Sequence, residues 1–302
     1  MGKETKKPAV VRRIVRTKLK KNPKLHEIVI SLHDFYSKIT GHMRVLPDFY
    51  IIGAAKCGTT SLYQYLIRHP LVNPGIGKEL HYFEEMYYRG EHWYRSCFPF
   101  KVQQYFSKFR YGQNFIVGDS TPRYIDHPHV PNRIKNLTPN AKFIVMLRNP
   151  IDRAFSHYNM NVKNKYISKS FEEVIDLDST KIDKYFEFME TSGKTSNDYF
   201  LHAYLDRGIY VKRLKEWMTV FPKENFMIIK SEDFFQNSSV VFNDVLNFLQ
   251  LPRFELDEYG AHMVGKYSEK NIDSNLRIKL QKFFQPSNQE LYDFLKRDFK
   301  WD

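Results

Sequence analysis

The sequence predicts an α/β protein with a P-loop-like three-layer fold, in which helices flank a central parallel sheet. Short, continuously apolar runs alternate with segments of helical periodicity, which is typical of strands buried on both faces of a sheet. The first apolar run ends in a glycine turn that leads directly into a helix. The chain has 302 residues, 42% hydrophobic and 16% aromatic, so it can bury one large core.

The predicted elements follow one another from residue 47 onward. Apolar runs predict buried strands at 49–52, 115–117, 142–147 and 226–229. Helical spacing predicts helices at 61–67, at 130–136, from 151 onward and at 240–249. Ligands of parallel sheets bind at the carboxyl ends of the strands, so the residues that follow these runs form the candidate site.

Residues 1–46 are predicted to be a basic arm and a helix, ahead of a main domain at 47–302. Residues 1–25 hold ten Lys or Arg and one Glu, which account for +9 of the net charge of +13. The helix has apolar residues at helical spacing that are expected to pack on the main domain: Ile28, Leu32, Phe35, Tyr36 and Ile39. Residues 159–200 are polar with little periodicity, and we interpret them as an inserted lid or acceptor-site segment.

The stretch GAAKCGTTSL, residues 53–62, predicts an anion site. Free N–H groups and the positive end of the helix dipole point into a turn of this kind. An NTPase P-loop places Lys directly after the second Gly, whereas here Thr59 follows Gly58 and Lys56 lies inside the turn. The candidate ligands of a phosphate or sulfate are Lys56, Cys57, Gly58, Thr59, Thr60 and Ser61.

The stretch LRNPIDRAFSHY, residues 147–158, predicts a second anion site. Arg148 ends a buried strand, and Ser156 lies eight residues on in the next helix. An Arg fork and a hydroxyl can bind a separate phosphate, which suggests a nucleoside phosphorylated at both ends. Two alternatives stay open: a P-loop kinase of a small molecule or sugar, with Asp119 holding magnesium, and a nucleic-acid-binding protein that uses the basic arm.

With these motifs in this order, the chain resembles the sulfotransferases that use 3′-phosphoadenosine 5′-phosphosulfate (PAPS). It is most similar to the branch of heparan sulfate N-deacetylase/N-sulfotransferases and 3-O-sulfotransferases. The likeness extends through KELHYFE (78–84), WYRSCFP (93–99), GDSTPRYI (118–125) and YVKRLKEWMTVFP (210–222). The resemblance implies that the first loop holds the 5′-phosphosulfate, that Arg148 and Ser156 hold the 3′-phosphate, and that transfer needs no metal.

The resemblance also implies roles for single residues. Glu79 corresponds to the catalytic base, and Lys56 to the residue that stabilises charge on the leaving phosphate. His81 is the alternative base or an acceptor contact, and it points the same way as Glu79 if this stretch is extended. Arg123 is a further candidate acceptor contact. Lys266 and Tyr267 resemble the loop that closes on the nucleotide.

The expected acceptor is a hydroxyl or amine of a glycan or small molecule. Ser120 stands where glycosaminoglycan-modifying members usually carry Lys, just before the Thr-Pro pair. Their late disulfide loop has no counterpart either, because Cys57 and Cys97 both lie before residue 98. These departures favour an acceptor other than heparan sulfate.

The sequence also predicts where the protein works. Two cysteines, no long apolar stretch and no signal-peptide pattern predict a cytoplasmic protein. The basic arm predicts weak contact with an anionic inner membrane surface. Nucleic acid is not expected as a partner.

Overall fold

A computed structural model of the protein describes residues 23–260 and 272–301, and its centre is a single sheet. The strands of that sheet are β1 Phe49–Gly53, β2 Val72–Pro74, β3 Ile116–Ser120, β4 Lys142–Leu147 and β5 Phe226–Lys230. All pairings are parallel, and the order across the sheet is β2–β3–β1–β4–β5. This confirms the predicted fold class. The short edge strand β2 was not predicted, because three residues carry no apolar run.

Helices connect the strands and flank the sheet. Their bounds are α1 Pro23–Thr40, α2 Thr59–Leu66, α3 Glu91–Ser96, α4 Lys101–Tyr111, α5 Val130–Leu137, α6 Pro150–Lys163, α7 Phe171–Ser192, α8 Asn197–His202, α9 Tyr210–Val220, α10 Ser231–Gln236, α11 Ser238–Phe248 and α12 Ser274–Leu295. In the described residues no helix combines the length and the apolar character needed to cross a membrane.

The two central strands carry the core and determine where the loops meet. Every residue of β1 is buried, and so are residues 143–147 of β4, because both strands are covered on both faces. The register pairs Ile51 with Ser120 and Gly53 with Val145. The loop after β1 therefore begins where β3 and β4 end, and the two predicted anion motifs share one edge of the sheet.

The interpretation of residues 159–200 as a segment of little periodicity was wrong. The segment contains the end of α6, all of α7 and the beginning of α8. A capping box at the start of α7 pairs Ser170 with Glu173 and satisfies the first N–H groups of the helix. Ile182, Phe186 and Met189 are buried on one side of α7, at the spacing of helical turns.

The helix predicted in the N-terminal region is confirmed over Pro23–Thr40, but the prediction about its apolar face was wrong. Ile28, Leu32, Phe35, Tyr36 and Ile39 are exposed. The opposite, polar face packs on the main domain, because it forms directed contacts there. Asp34 pairs with Arg89, and His33 Nε2 lies 3.5 Å from Ser96 Oγ. The basic residues 1–22 and the predicted nucleotide contacts Lys266 and Tyr267 lie outside the described residues.

Candidate functional site

The turn between β1 and α2 has the open helix N-terminus that the sequence predicts. Gly58 is the N-cap of α2 with φ at 92°, where other residues are strained. A Cβ at this position would lie 2.8 Å from the Phe235 ring, so a larger residue would also clash. Because Gly58 has no side chain, the first N–H groups of α2 lack the cap that Ser, Thr, Asp or Asn supplies. An anion at this position would take the place of the cap.

Hydrogen bonds from neighbouring elements hold the turn in place. Ser231 Oγ donates to Cys57 O at 2.7 Å, and Ala54 N donates to Met146 O at 2.8 Å. The Cys57 N–H already donates to Ala54 O at 3.3 Å, so donors toward an anion would come from the residues after Cys57. Burial raises the pKa of the Cys57 thiol to about 11, which keeps it protonated and unreactive.

Positive charge gathers beside this turn without a counter-ion. Arg148 Nη1 lies 3.5 Å from Lys56 O, and within the described residues neither Lys56 nor Arg148 forms an ion pair with a carboxylate. Burial lowers the pKa of Lys56, and the charges of Arg148 and Arg153 lower it further. Arg153 is fully buried and donates through Nη2 to Tyr204 O, while its Nε and Nη1 have no hydrogen-bond partner among the described residues. A buried cation and two half-buried ones that lack a carboxylate partner in the described residues fit a ligand that carries phosphate or sulfate groups.

Glu79 lies at the neighbouring strand end. Its N–H donates to Ser120 O at 3.0 Å, which anchors it to the end of β3. Glu79 and His81 both have left-handed backbone angles, with φ at 60° and 54°, so the stretch is not extended and the reasoning from alternating side chains was wrong. The two side chains nevertheless meet, because His81 Nε2 lies 3.9 Å from Glu79 Oε2. Such strained backbone angles often accompany functional sites.

A buried carboxylate on the other side of His81 fixes the imidazole. His81 Nδ1 lies 2.5 Å from Glu84 Oε1, and the Glu84 side chain is fully buried. Burial alone would lower the pKa of His81, but the hydrogen bond and the charge of Glu84 more than offset it, and the pKa is raised. The imidazole therefore keeps its proton to a higher pH than a free histidine.

Lys78 connects the helix N-terminus with Glu79. Its Nζ lies 2.8 Å from Thr60 Oγ1 on α2 and 2.6 Å from Glu79 Oε1. The sequence reasoning missed Lys78, Glu84 and Arg153 as functional residues. The motifs of the family resemblance could have identified them. Lys78 and Glu84 begin and end the stretch KELHYFE, and Arg153 lies in the middle of RNPIDRAFSHY.

Arg123 joins this group from the segment after β3. Its Nη1 donates to Glu85 Oε1 at 2.8 Å, and its Cζ lies 4.7 Å from the centre of the Phe200 ring on α8. Thr195 Oγ1, between α7 and α8, donates to Glu84 O at 2.7 Å. The 159–200 segment therefore contacts residues next to His81, and its role as a lid or acceptor-site segment stays a prediction.

Two further predicted residues have defined places. Ser156 is buried on α6, about two turns after Arg148, and it has a polar partner. Asp119 is buried at the end of β3, and its carboxylate accepts bonds of 2.8 Å from Tyr94, Thr121 and Tyr124 hydroxyls. The kinase alternative needed Asp119 to hold magnesium, and these three hydroxyls occupy both of its carboxylate oxygens.

The far edge of the sheet holds a surface cavity of about 410 Å³ with a different character. Asp48, Ile116 and Lys142, at the starts of β1, β3 and β4, line it. Ligands of parallel sheets bind at the opposite, carboxyl edge, where Lys56, Arg148 and Glu79 lie. In the described ranges no cluster of three or more His, Cys, Asp or Glu side chains is arranged to hold a metal ion.

Comparison with known proteins agrees with the geometry. The family described as "Sulfotransferase domain" matches residues 46–297. A protein of Dictyostelium discoideum named membrane-associated sulfotransferase kil1 is 27% identical, over 87% of this chain and 68% of its own. The mouse heparan sulfate glucosamine 3-O-sulfotransferase 3A1 is also 27% identical, over 85% of this chain and 65% of its own length.

Two other similar proteins complete the comparison. The bifunctional heparan sulfate N-deacetylase/N-sulfotransferase 1 of Caenorhabditis elegans is 27% identical, and the match covers 84% of this chain but only 30% of that protein. The crystal structure of a sulfotransferase from Alicyclobacillus acidocaldarius is similar with a TM-score of 0.64 and 27% identity. That match covers 85% of this chain and 99% of the solved one.

Proposed function

The chain belongs to the sulfotransferase family and is a sulfotransferase, and from this premise we propose that PAPS is its donor and a glycan hydroxyl or amine its acceptor. The observation that carries the donor proposal is the uncompensated charge of Lys56, Arg148 and Arg153 beside the open N-terminus of α2. The names of the relatives that modify heparan sulfate support a glycan acceptor. Their lengths exceed that of this chain, so the acceptor itself is part of the proposal.

On the donor side, the residues bind and stabilise negative charge. PAPS supplies the sulfuryl group and a phosphate leaving group with a second phosphate at the far end of the nucleoside. Lys56 and the N–H groups at the start of α2 stabilise the charge that develops on the leaving phosphate oxygen. Arg148 and Ser156 hold the distal phosphate. Lys78 lies between the donor-binding turn and the acceptor side, because its Nζ contacts both Thr60 and Glu79.

On the acceptor side, Glu79 removes the proton from the attacking hydroxyl or amine. A bond forms between the acceptor atom and sulfur, and the bond from sulfur to the phosphate oxygen breaks. His81 suits a different role, because its raised pKa keeps the imidazole protonated to a higher pH than a free histidine, and a protonated imidazole cannot accept a proton. The protonated His81 can donate a hydrogen bond toward the acceptor. At 3.9 Å from Glu79 Oε2, the imidazole forms an ion pair without a direct hydrogen bond, so Nε2 keeps a proton to donate to the acceptor.

The donor proposal predicts which nucleotide stabilises the fold. The desulfated product 3′-phosphoadenosine 5′-phosphate (PAP) should raise the melting temperature, with a stabilisation of about 2.7 kcal/mol at 100 times its Kd. Mg·ATP should do much less, because Arg148 and Ser156 would have no distal phosphate to hold. Differential scanning fluorimetry and calorimetry measure both effects.

Two variants make this nucleotide test specific. Arg148→Ala should lose most of the PAP-induced shift. Arg253→Ala should keep it, because Arg253 is 79% exposed and forms a surface ion pair with Glu255. Tight binding of Mg·ATP together with no binding of PAP would contradict the donor proposal.

The contact between His81 and Glu84 predicts the alkaline side of the pH profile. Because the pKa of His81 is raised, its protonated form is lost only as the pH rises through that elevated value. Glu84→Gln removes the raising charge and leaves the lowering effect of burial, so the alkaline limb of kcat/KM should move to lower pH. Glu91→Gln, at an exposed ion pair with Arg95, should leave the limb in place. An unmoved limb in Glu84→Gln would show that the protonation of His81 does not matter.

A further inference from the structure

Two helices of this chain present apolar faces to solvent. On α4 the exposed residues are Val102, Tyr105, Phe106 and Phe109, and Phe109 is 91% exposed. On α1 they are Ile28, Leu32, Phe35 and Ile39, each more than half exposed. These eight residues form what we call the α1–α4 face. Exposed apolar groupings of this kind mark interaction sites, because soluble proteins bury such surface when they can.

Both helices are amphipathic, but their polar side faces the domain and their apolar side faces solvent, which is the reverse of the usual arrangement. On α4, Gln104 Nε2 donates to Phe115 O and Ser107 Oγ donates to Gln113 O, both at 3.1 Å. On α1, Ser37 is buried, Asp34 pairs with Arg89, and His33 Nε2 lies 3.5 Å from Ser96 Oγ. Polar contacts thus hold each helix to the domain, and the apolar side faces outward. The spacing of three and four residues keeps each apolar set on a single side of its helix.

Helix α1 and the residue that precedes α4 both contact the guanidinium group of Arg44. Arg44 Nη2 donates to the Tyr36 hydroxyl on α1 at 2.6 Å. The Arg44 Cζ lies 4.0 Å from the centre of the ring of Phe100, which is the N-cap residue of α4. Val45 N also donates to Pro99 O at 3.0 Å. The end of α1 and the start of α4 are therefore held together by the folded domain, and the two apolar sets belong to neighbouring elements.

The charge on α4 and in the sequence ahead of α1 is basic, whereas the two Lys and the two acidic residues of α1 itself cancel. Helix α4 carries Lys101, Lys108 and Arg110, all exposed, and contains no acidic residue. In the sequence, residues 1–22, which lead into α1, contain nine Lys or Arg and one Glu. Aromatic and aliphatic side chains interleaved with Lys and Arg are the composition of helices that lie in the interface of an anionic bilayer.

We propose that the α1–α4 face docks the enzyme onto an anionic lipid surface. The aromatic rings and aliphatic side chains enter the headgroup region, and the surrounding Lys and Arg meet the lipid phosphates. Charge complementarity favours this occupant over two others. A second copy of the chain would bring two copies of the basic helix α4 together. Residues 1–22 are themselves basic, so either occupant would face like-charge repulsion from α4.

Co-sedimentation with vesicles tests the proposal on the full chain. The protein should bind vesicles of phosphatidylglycerol and phosphatidylcholine, and bind phosphatidylcholine alone much less. The triple variant Tyr105→Ser, Phe106→Ser and Phe109→Ser should lower the partition constant by roughly 10- to 100-fold. Each substitution removes the free energy gained when an aromatic ring moves from water into the headgroup region. The double variant Leu32→Ser and Phe35→Ser should lower it as well.

A matched control variant distinguishes binding through the α1–α4 face from non-specific binding through any exposed apolar residue. Tyr166→Ser, Val240→Ser and Phe283→Ser remove exposed apolar side chains on other elements and should leave vesicle binding unchanged. Added salt should weaken the charged contribution but leave the difference between the wild type and the α4 variant. Melting temperature and sulfotransfer in solution should be the same in all variants, which excludes misfolding.

Two results would overturn the proposal. If the α4 variant binds anionic vesicles as well as the wild type does, the exposed rings take no part and the basic residues 1–22 suffice. If sedimentation velocity shows a dimer of the wild type that the α4 variant loses, the face is an interface between copies of this chain.

Discussion

Replacing Glu79 by Gln is expected to lower kcat by roughly 10²–10⁴-fold, the usual range for loss of a general base. The substitution keeps the shape of the side chain and removes its ability to accept the acceptor proton. Nucleotide affinity should hardly change, because the anion ligands lie on the β1–α2 turn and at the end of β4. The measurement is kcat for sulfate transfer beside the Kd for PAP, determined on the same preparation.

The comparison for this variant is Glu91→Gln, which removes a charge from an exposed ion pair and should keep wild-type kcat. Because the Glu79 side chain is 44% exposed and contacts Lys78 and His81 at the surface, the fold should tolerate the change. Near wild-type kcat in Glu79→Gln would show that Glu79 is not the base. His81 would then be the base, in spite of its raised pKa and its bond to Glu84.

Replacing Lys56 by Ala is expected to impair both chemistry and binding. The loss in kcat should be on the order of 10²–10³-fold, the effect of removing one preorganised donor from a site where negative charge develops. The Kd for PAPS should rise as well, because Lys56 would contact the donor before reaction. Lys282→Ala, at an exposed position of α12, is the control for loss of a positive charge.

Arg148→Ala supplies the contrast that distinguishes the two cations. Arg148 would bind the distal phosphate, so its loss should raise the Kd strongly and lower kcat much less when PAPS saturates. The same ratio of kcat loss to loss of PAPS affinity in Lys56→Ala and Arg148→Ala would contradict the proposed roles. Lys56 would then not be the residue that acts mainly on transfer, nor Arg148 the one that acts mainly on binding.

The fold was predictable because its central elements depend on local signals. Strand β4 has the predicted bounds, 142–147, since a continuous apolar run with β-branched and aromatic residues can be buried on both faces of a sheet. The turn at Gly58 was also predictable, because glycine is the residue that permits its φ of 92°. The closeness of Lys56 and Arg148 followed from the parallel sheet itself.

Other features depended on contacts that no local pattern encodes. The spacing of α1 predicted a helix but could not show which side would face the domain, because its partners Arg89 and Ser96 lie more than 50 residues away in the sequence. The left-handed angles at Glu79 and His81 come from the anchoring of that stretch to the end of β3. The helical spacing of Ile182, Phe186 and Met189 was available in the sequence and was overlooked among polar neighbours.

The most direct test of the proposed function follows the transferred group itself. PAPS carrying a radiolabelled sulfate is incubated with the purified enzyme and a panel of glycan and small-molecule acceptors, and labelled products are identified by mass spectrometry. The account predicts that label enters a hydroxyl or amine of an acceptor, without added magnesium, and that Glu79→Gln and Lys56→Ala abolish most of it. The account would be contradicted if no acceptor gained label from PAPS while labelled phosphate from Mg·ATP reached the same panel.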